Sequence, residues 1–309
     1  MNQKKIETYR VDGFIHTVNL KTSDAVMPAQ EQGGARAMAC LSTITSKKLK
    51  EDGEVNETTT LKVNPNNLEG TVYRFSDFLE VLEKVKEAAG FDNFEWRRID
   101  MAFDSYEPGF YQKFQKLNNF LVMCMAEASR ARNKYRTLDM FTSEQLSVAF
   151  KTDRYEMESY NKAIEMDELN DHSRLELRLK KISDYIHGEP VDEHFLVNWT
   201  KRLDDAISTE STWQMQLHCN DELERIYKTQ KDAFPVRFRS LTDFLIYYQD
   251  FIFSKRQMID LLARIEEVKN PVNRAEWHKK KYGIEYISKL DMRLAVKEIK
   301  RAMRQFFEG

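Results

Sequence analysis

Three short segments alternate polar and apolar residues: Arg98-Ile99-Asp100-Met101-Ala102-Phe103-Asp104, Glu158-Ser159-Tyr160-Asn161-Lys162 and Arg174-Leu175-Glu176-Leu177-Arg178-Leu179. Side chains on a strand change face at every residue, so each segment offers one apolar edge and one chemical edge. The chemical edges carry Asp100 and Asp104, then Tyr160 and Lys162, then Glu176 and Arg178. On neighbouring strands these carboxylates, cations and tyrosine converge on one sheet face. That set suits metal-assisted attack by a tyrosine on a phosphodiester.

A tyrosine hydroxyl is a poor nucleophile at neutral pH, because its pKa is about 10. It reaches phosphorus when a divalent ion polarises the phosphate and nearby cations favour the phenolate. Asp100 and Glu176 offer hard oxygen ligands for Mg²⁺ or Mn²⁺. Asp104 lies four residues further along the same face, roughly 13 Å at strand rise, and joins the same ion only if the strand bends. Lys162 can lower the tyrosine pKa or hold phosphate oxygens, Arg178 can support the phosphate, and Glu165 is a candidate ligand or second-step base. Glu156 and Glu158 crowd acid beside Tyr160, which raises its pKa unless a cation offsets them. The competing interpretation is a wet sheet face laced with cross-strand salt bridges.

In order and spacing, Arg98-Ile99-Asp100, Tyr160-Asn161-Lys162-Ala163-Ile164-Glu165 and Arg174-Leu175-Glu176-Leu177-Arg178-Leu179-Lys180 resemble the signature of rolling-circle replication initiators. The resemblance is to the replication-initiation-factor type of Gram-positive plasmids and conjugative elements, and the replication endonucleases of filamentous phages are similar. It covers residues 95 to 182. It implies Tyr160 as the nucleophile that forms a 5′-phosphotyrosine, with Asp100 and Glu176 as acidic partners around the metal. The His-hydrophobic-His motif of the wider nickase class is absent: Ile15-His16-Thr17 has one histidine, which reads as an ordinary strand residue.

The elements needed to position this chemistry follow from patterning. Strands are expected over 9–20 and 58–63, a helix over Ser76–Ala89 with Ser76 as cap and Gly90 as stop, then the strand 97–104 and a long helix over 110–131. Short strands at 137–141 and 146–150 precede those through Tyr160 and Glu176. This predicts an α+β class: a mainly antiparallel sheet with helices packed on one face, as in a nickase-type catalytic domain. After Ile182 the signals turn helical, over 195–207, 220–227, 241–253, 255–268, 274–282 and 290–307. We therefore expect a catalytic domain at 1–190 and a basic all-helical region at 191–309.

The net charge of −2 over 309 residues conceals an asymmetry, acidic from about 138 to 233 and basic from Lys269 onward. Lys279, Lys280 and Lys281 lie among aromatics, and Arg293, Lys297, Lys300 and Arg301 recur at helical spacing. Together with Arg178 they are the expected DNA-binding residues. His172, His187, His194, His218 and His278 lack metal-ligand spacing and are expected on surfaces or loops. Cys40, Cys124 and Cys219 form neither a zinc spacing nor a disulfide framework, and Cys124 reads as a buried small hydrophobe.

No apolar run approaches the roughly 20 residues of a membrane span, and the N-terminus lacks a signal-peptide stretch, so a cytoplasmic protein without a membrane partner is expected. With the resemblance, the expected function is a rolling-circle replication initiator that nicks one strand at an origin and later rejoins it. Glu165 as base or Tyr155 as second nucleophile would serve the second transfer. Expected partners are plasmid or mobile-element origin DNA, single-stranded or as a hairpin. A host helicase, a polymerase and a second copy of the chain are further candidates. The alternatives are a conjugative relaxase with the same chemistry and a non-catalytic DNA-binding replication regulator on the same scaffold.

Overall fold

A computed structural model of the chain describes residues 11–24, 26, 39–49, 55–69, 71–105, 111–129, 137–141, 147–162, 172–180, 201–232, 238, 240–265 and 269–307. Glu165, His187, His194 and the expected 190/191 boundary lie outside them. Among the described residues eight strands form one sheet: β1 Asp12–Thr22, β2 Leu41–Leu49, β3 Val55–Val63, β4 Glu95–Ser105, β5 Thr137–Met140, β6 Val148–Lys151, β7 Tyr155–Asn161 and β8 Ser173–Lys180. Their order is β2-β3-β1-β4-β8-β7-β6-β5 and every pairing is antiparallel. The three alternating segments are thus the adjacent strands β4, β8 and β7. The α+β class expected from patterning is the observed one.

The helices before the sheet's second half are α1 Asn66–Glu69, α2 Phe75–Ala89 and α3 Tyr111–Ala128. Helix α2 buries Phe75, Phe78, Val81, Leu82, Val85 and Ala89 at helical spacing. It starts one residue before the expected cap. Phe75 is only 4% exposed, and its burial draws it into the first turn, leaving Arg74 at the N-cap without a side-chain bond. Gly90 stops the helix as expected, in the left-handed region at φ 70°, with its N–H donating to the Lys86 carbonyl.

Helix α3 packs on β6, β7 and β8. Beyond Phe114, Leu117, Leu121 and Cys124 it buries three amides. Gln115 Nε2 donates to Asn119 Oδ1 (2.8 Å) and Ser159 Oγ (3.1 Å), and Ser159 Oγ donates to Asn119 Oδ1 (2.8 Å). Asn118 Nδ2 donates to Ser173 Oγ (3.0 Å), which donates to Gln115 Oε1 (2.9 Å). Ser159 and Ser173 each precede a residue of the chemical face, Tyr160 and Arg174. The network therefore pins both strands from beneath.

The C-terminal helices are α4 Thr209–Asp232, α5 Leu241–Tyr247, α6 Lys255–Ile265, α7 Pro271–Tyr282 and α8 Lys289–Phe307. The helix expected over 241–253 ends early, in a 3₁₀ turn at Gln249–Phe251. Phe251, Ile252 and Phe253 are all fully buried, and three consecutive residues cannot share one face of an α-helix. Gln257 replaces the lost backbone partners, accepting from the Phe253 N–H (2.7 Å) and donating to the Phe251 carbonyl (2.8 Å). Phe253 stacks on Phe120 of α3 at 4.4 Å.

One continuous apolar cluster joins these helices to the sheet. A buried charge pair sits in the same junction. Burial, moderated by Lys116, pushes Asp250 up to about 6, and burial, moderated by Asp250 and Glu285, holds Lys116 down at about 8. Helix α8 lies on β1, where Arg301 donates to the Val11 carbonyl at 2.9 Å.

Two tests follow from this packing. A Cβ on Gly13 would sit 2.9 Å from Ala302 Cβ and 3.3 Å from the Phe103 ring. Gly13→Ala should therefore cost about 1–3 kcal/mol in urea unfolding, partly recovered by adding Ala302→Gly. Between pH 4 and 6 folded Asp250 holds a proton that the unfolded chain has released, so this group makes stability fall as pH rises. Subtracting the Asp250→Asn curve from the wild-type curve should isolate that fall, and parallel curves would refute it.

Candidate active site

The register sets the site. Across β4, β8 and β7 the rows are Asp104–Arg174–Tyr160, Ala102–Glu176–Glu158 and Asp100–Arg178–Glu156. Alternation by two places all nine side chains on one face, with acids and bases interleaved. Asp100, Asp104, Glu176, Arg174 and Tyr160 are buried there. Burying so many charges is tolerable only if each is paired.

They are paired closely. Arg98 donates to both oxygens of Asp100, at 2.5 and 2.6 Å. Arg174 grips Asp104 in the same bidentate way, both bonds 2.6 Å. Arg178 serves three acids at 2.7 Å each: Glu176, Glu156 and Glu158. The acid beside Tyr160 therefore has its counter-charge in Arg178. Lys180 adds a 3.3 Å pair to Glu156.

Tyr160 Oη donates to Glu176 Oε1 at 2.6 Å. The Lys162 ammonium lies 5.8 Å from the Tyr160 ring centre, and Arg174 is its cross-strand neighbour. Burial works against ionised Glu176, but the Arg178 guanidinium and the Tyr160 hydroxyl outweigh it and hold its pKa below the ordinary range. Burial prevails at Asp100, where it raises the carboxyl despite Arg98. It also raises Glu158, against the pull of Arg178.

His16 belongs to this site, contrary to its expected role as an ordinary strand residue. The β1–β4 register slips between Ile15 and Thr17, so Ile15 faces Met101 and Thr17 faces Asp100 while His16 is the extra residue. The bulge brings the imidazole to the charged face. Desolvation keeps it neutral, lowering its pKa, while Glu176 and Asp100 pull it up and Arg174 and Lys162 push it down. Its Nδ1 lies 3.0 Å from the Thr17 hydroxyl. His172 and His278, expected on surfaces or loops, are both buried. His172 Nε2 stands 3.9 Å from Asp104. His278 Nδ1 lies 2.8 Å from the Arg274 carbonyl of its own helix, and its Nε2, 3.3 Å from the Thr242 hydroxyl, ties α7 to α5.

Tyr155 does not face the site. An odd step from Tyr160 puts it on the other side of β7, where it is 4% exposed, contacts Phe150 and bonds Ser129 at 2.9 Å. That placement removes it as a second nucleophile.

For a divalent ion, the donor chemistry suits: two carboxylates, Asp100 and Glu176, and a neutral imidazole share the face. As the side chains stand, both acids are given to arginines. Among the described residues no three His, Cys, Asp or Glu side chains converge as a metal cage. Asp104 has both oxygens on Arg174.

The expected DNA-binding cations fall into two surface groups, apart from Arg178, which sits in the ion network. Along α8, Arg293, Lys297 and Arg304 are exposed. With Asp204, Ile207 and Ser208 they line a groove of about 820 Å³. Lys300 pairs with Asp204, and Arg301 is committed to Glu298 and Gln305. On α7, Lys279, Lys280 and Lys281 are exposed. Cys124, expected as a buried hydrophobe, is fully buried. Among the described residues no helix is long and apolar enough to cross a membrane.

No protein-family model matches the chain, and no curated protein matches its sequence. Among solved structures it is similar to the rolling circle replication initiator protein from Geobacillus stearothermophilus. The identity is 11%, over 78% of this chain and 96% of that one, at a TM-score of 0.28. A superposition that loose carries no argument about activity.

The Arg178 hub gives a direct test. Arg178→Met leaves three acids without their guanidinium and should cost about 3–5 kcal/mol in urea unfolding, with Glu158→Gln added in the same chain recovering part. A loss below about 1 kcal/mol would show that the hub is not holding the sheet face together.

Proposed function

We propose that this face is a strand-transfer site and that the protein is a rolling-circle replication initiator, a sequence-specific nickase acting at an origin. The observation that carries the proposal is the 2.6 Å bond from the Tyr160 hydroxyl to the Glu176 carboxylate, set between Arg174 and Lys162. Glu176 orients the hydroxyl and accepts its proton, while Arg174 and Lys162 favour phenolate and phosphate oxygens. Tyr160 Oη forms a bond to phosphorus and the P–O3′ bond breaks. The 5′ phosphate stays on Tyr160 and the 3′ oxygen takes up a proton, leaving a primer end. Asp100 and Glu176 would hold a Mg²⁺ or Mn²⁺ ion beside His16, and the bound ion would polarise the phosphate.

In this proposal residues 1–190 carry the chemistry and 191–309 hold origin DNA, through Arg293 and Lys297 on α8 and Lys279–Lys281 on α7. Glu165 is the proposed second-step base. A helicase, a polymerase and a second copy are proposed partners, and a conjugative relaxase would use the same residues.

A second reading is favoured by one observation: both proposed metal ligands are already neutralised by arginines. A non-catalytic DNA-binding regulator would need no more than that. Supercoiled plasmid bearing a cognate origin, incubated with Mn²⁺, separates the two. Wild type should nick it and carry covalent DNA, whereas Tyr160→Phe should bind equally but nick roughly 10³-fold less or not at all. Nicking that survives in Tyr160→Phe removes the nucleophile, and a wild type that binds but never nicks establishes the regulator.

A further inference from the structure

Helix α7 is anchored through Ala275 and His278, both fully buried. Its opposite side carries Trp277, which is 37% exposed. The Arg274 guanidinium lies 4.6 Å from the Trp277 ring centre and the Lys281 ammonium 4.8 Å. Tyr282 stands edge-on to the indole at 5.4 Å, which fixes the ring's tilt. Lys280 extends the cationic surface, Lys279 points round the helix to the Tyr286 ring, and the helix's one acid, Glu276, is paired with Lys255. The net charge of this face is positive throughout.

An exposed indole costs hydration, and its packing on Tyr282 leaves more than a third of it in solvent. Three cations, Arg274, Lys280 and Lys281, beside one ring fit a polyanion, and an aromatic ring among them fits one whose monomers have flat apolar faces. Unpaired nucleotides combine a free base face with an adjacent phosphate. A duplex hides those faces in its stack. The α8 ridge differs: its exposed cations Arg293, Lys297 and Arg304 have no exposed aromatic among them in the described residues, so it suits phosphate backbone alone.

We infer that α7 is a single-strand platform on which Trp277 stacks an unpaired base while Arg274 and Lys281 swing to the flanking phosphates. This rests on the protein acting on DNA and adds a division of labour, α7 taking the unpaired part of an origin and α8 its duplex part.

The test uses the full chain carrying Tyr160→Phe, so that binding is read without chemistry. Affinity for a fluorescent oligo-dT and for a duplex of equal length is measured with and without Trp277→Ala, alongside Trp277→Phe, which keeps a ring. Trp277→Ala should weaken oligo-dT binding roughly 5- to 150-fold, the span of one lost base stack. Duplex affinity should stay within about twofold, and Trp277→Phe should retain most single-strand binding. Equal losses on both DNAs, or no loss on either, would overturn the platform while leaving origin binding and Tyr160 chemistry intact. Trp277-dependent binding of anionic phospholipid vesicles without any oligo-dT effect would overturn it in favour of a membrane surface. Absence of all DNA affinity would instead strike the DNA reading itself.

Discussion

A central sheet face can hold eight polar side chains largely out of water only if every charge on it finds an opposite one. Arg178 meets that demand most heavily, reaching Glu176, Glu156 and Glu158 from one position on β8. Arg98 and Arg174 do the same for Asp100 and Asp104. The pairs that cross strands read the register: a one-residue slip of β7 would part Arg178 from Glu156 and Glu158, and a slip of β8 would part Arg174 from Asp104 as well. The amide–hydroxyl network from α3 fixes the same two strands from the opposite side. Held between these layers, Tyr160 keeps one orientation.

The same pairing shapes the chemistry. Glu176 is shared, one oxygen accepting from Tyr160 and the other from Arg178. An isolated acidic cluster would push the phenol toward its neutral form. Here Arg178 offsets the nearby acids and Arg174 offsets Asp104, which leaves the Lys162 ammonium as the further cation near the Tyr160 ring. The His16 bulge adds a neutral imidazole at the edge of this array, where local strand irregularity re-aims a side chain.

Much of this was legible in the sequence, because period-2 alternation survives wherever a strand has one apolar and one polar side. Arg174–Leu179 obeys it without interruption and Arg98–Asp104 with the one exception of Ala102, and their faces follow directly. His16 escaped because a bulge breaks the period at the residue that matters, and Phe14-Ile15-His16-Thr17-Val18 looks like any strand. Gln115, Asn118 and Asn119 escaped because amides on a long helix read as its solvent side. Only the facing Ser159 and Ser173 make them interior. Tyr155 misled for the opposite reason: closeness in sequence to Tyr160 says nothing of face. His278 was invisible as an anchor because its partner, Thr242, is 36 residues away.

The central claim, that Tyr160 takes the phosphate, is met most directly by mass spectrometry. Wild-type protein is incubated with single-stranded origin oligonucleotide and Mn²⁺, digested with protease and nuclease, and searched for nucleotide-modified peptides. The account predicts a 5′-nucleotide phosphate on the peptide containing Tyr160. Modification of a different residue, with Tyr160 recovered unmodified from nicking-competent protein, would contradict it.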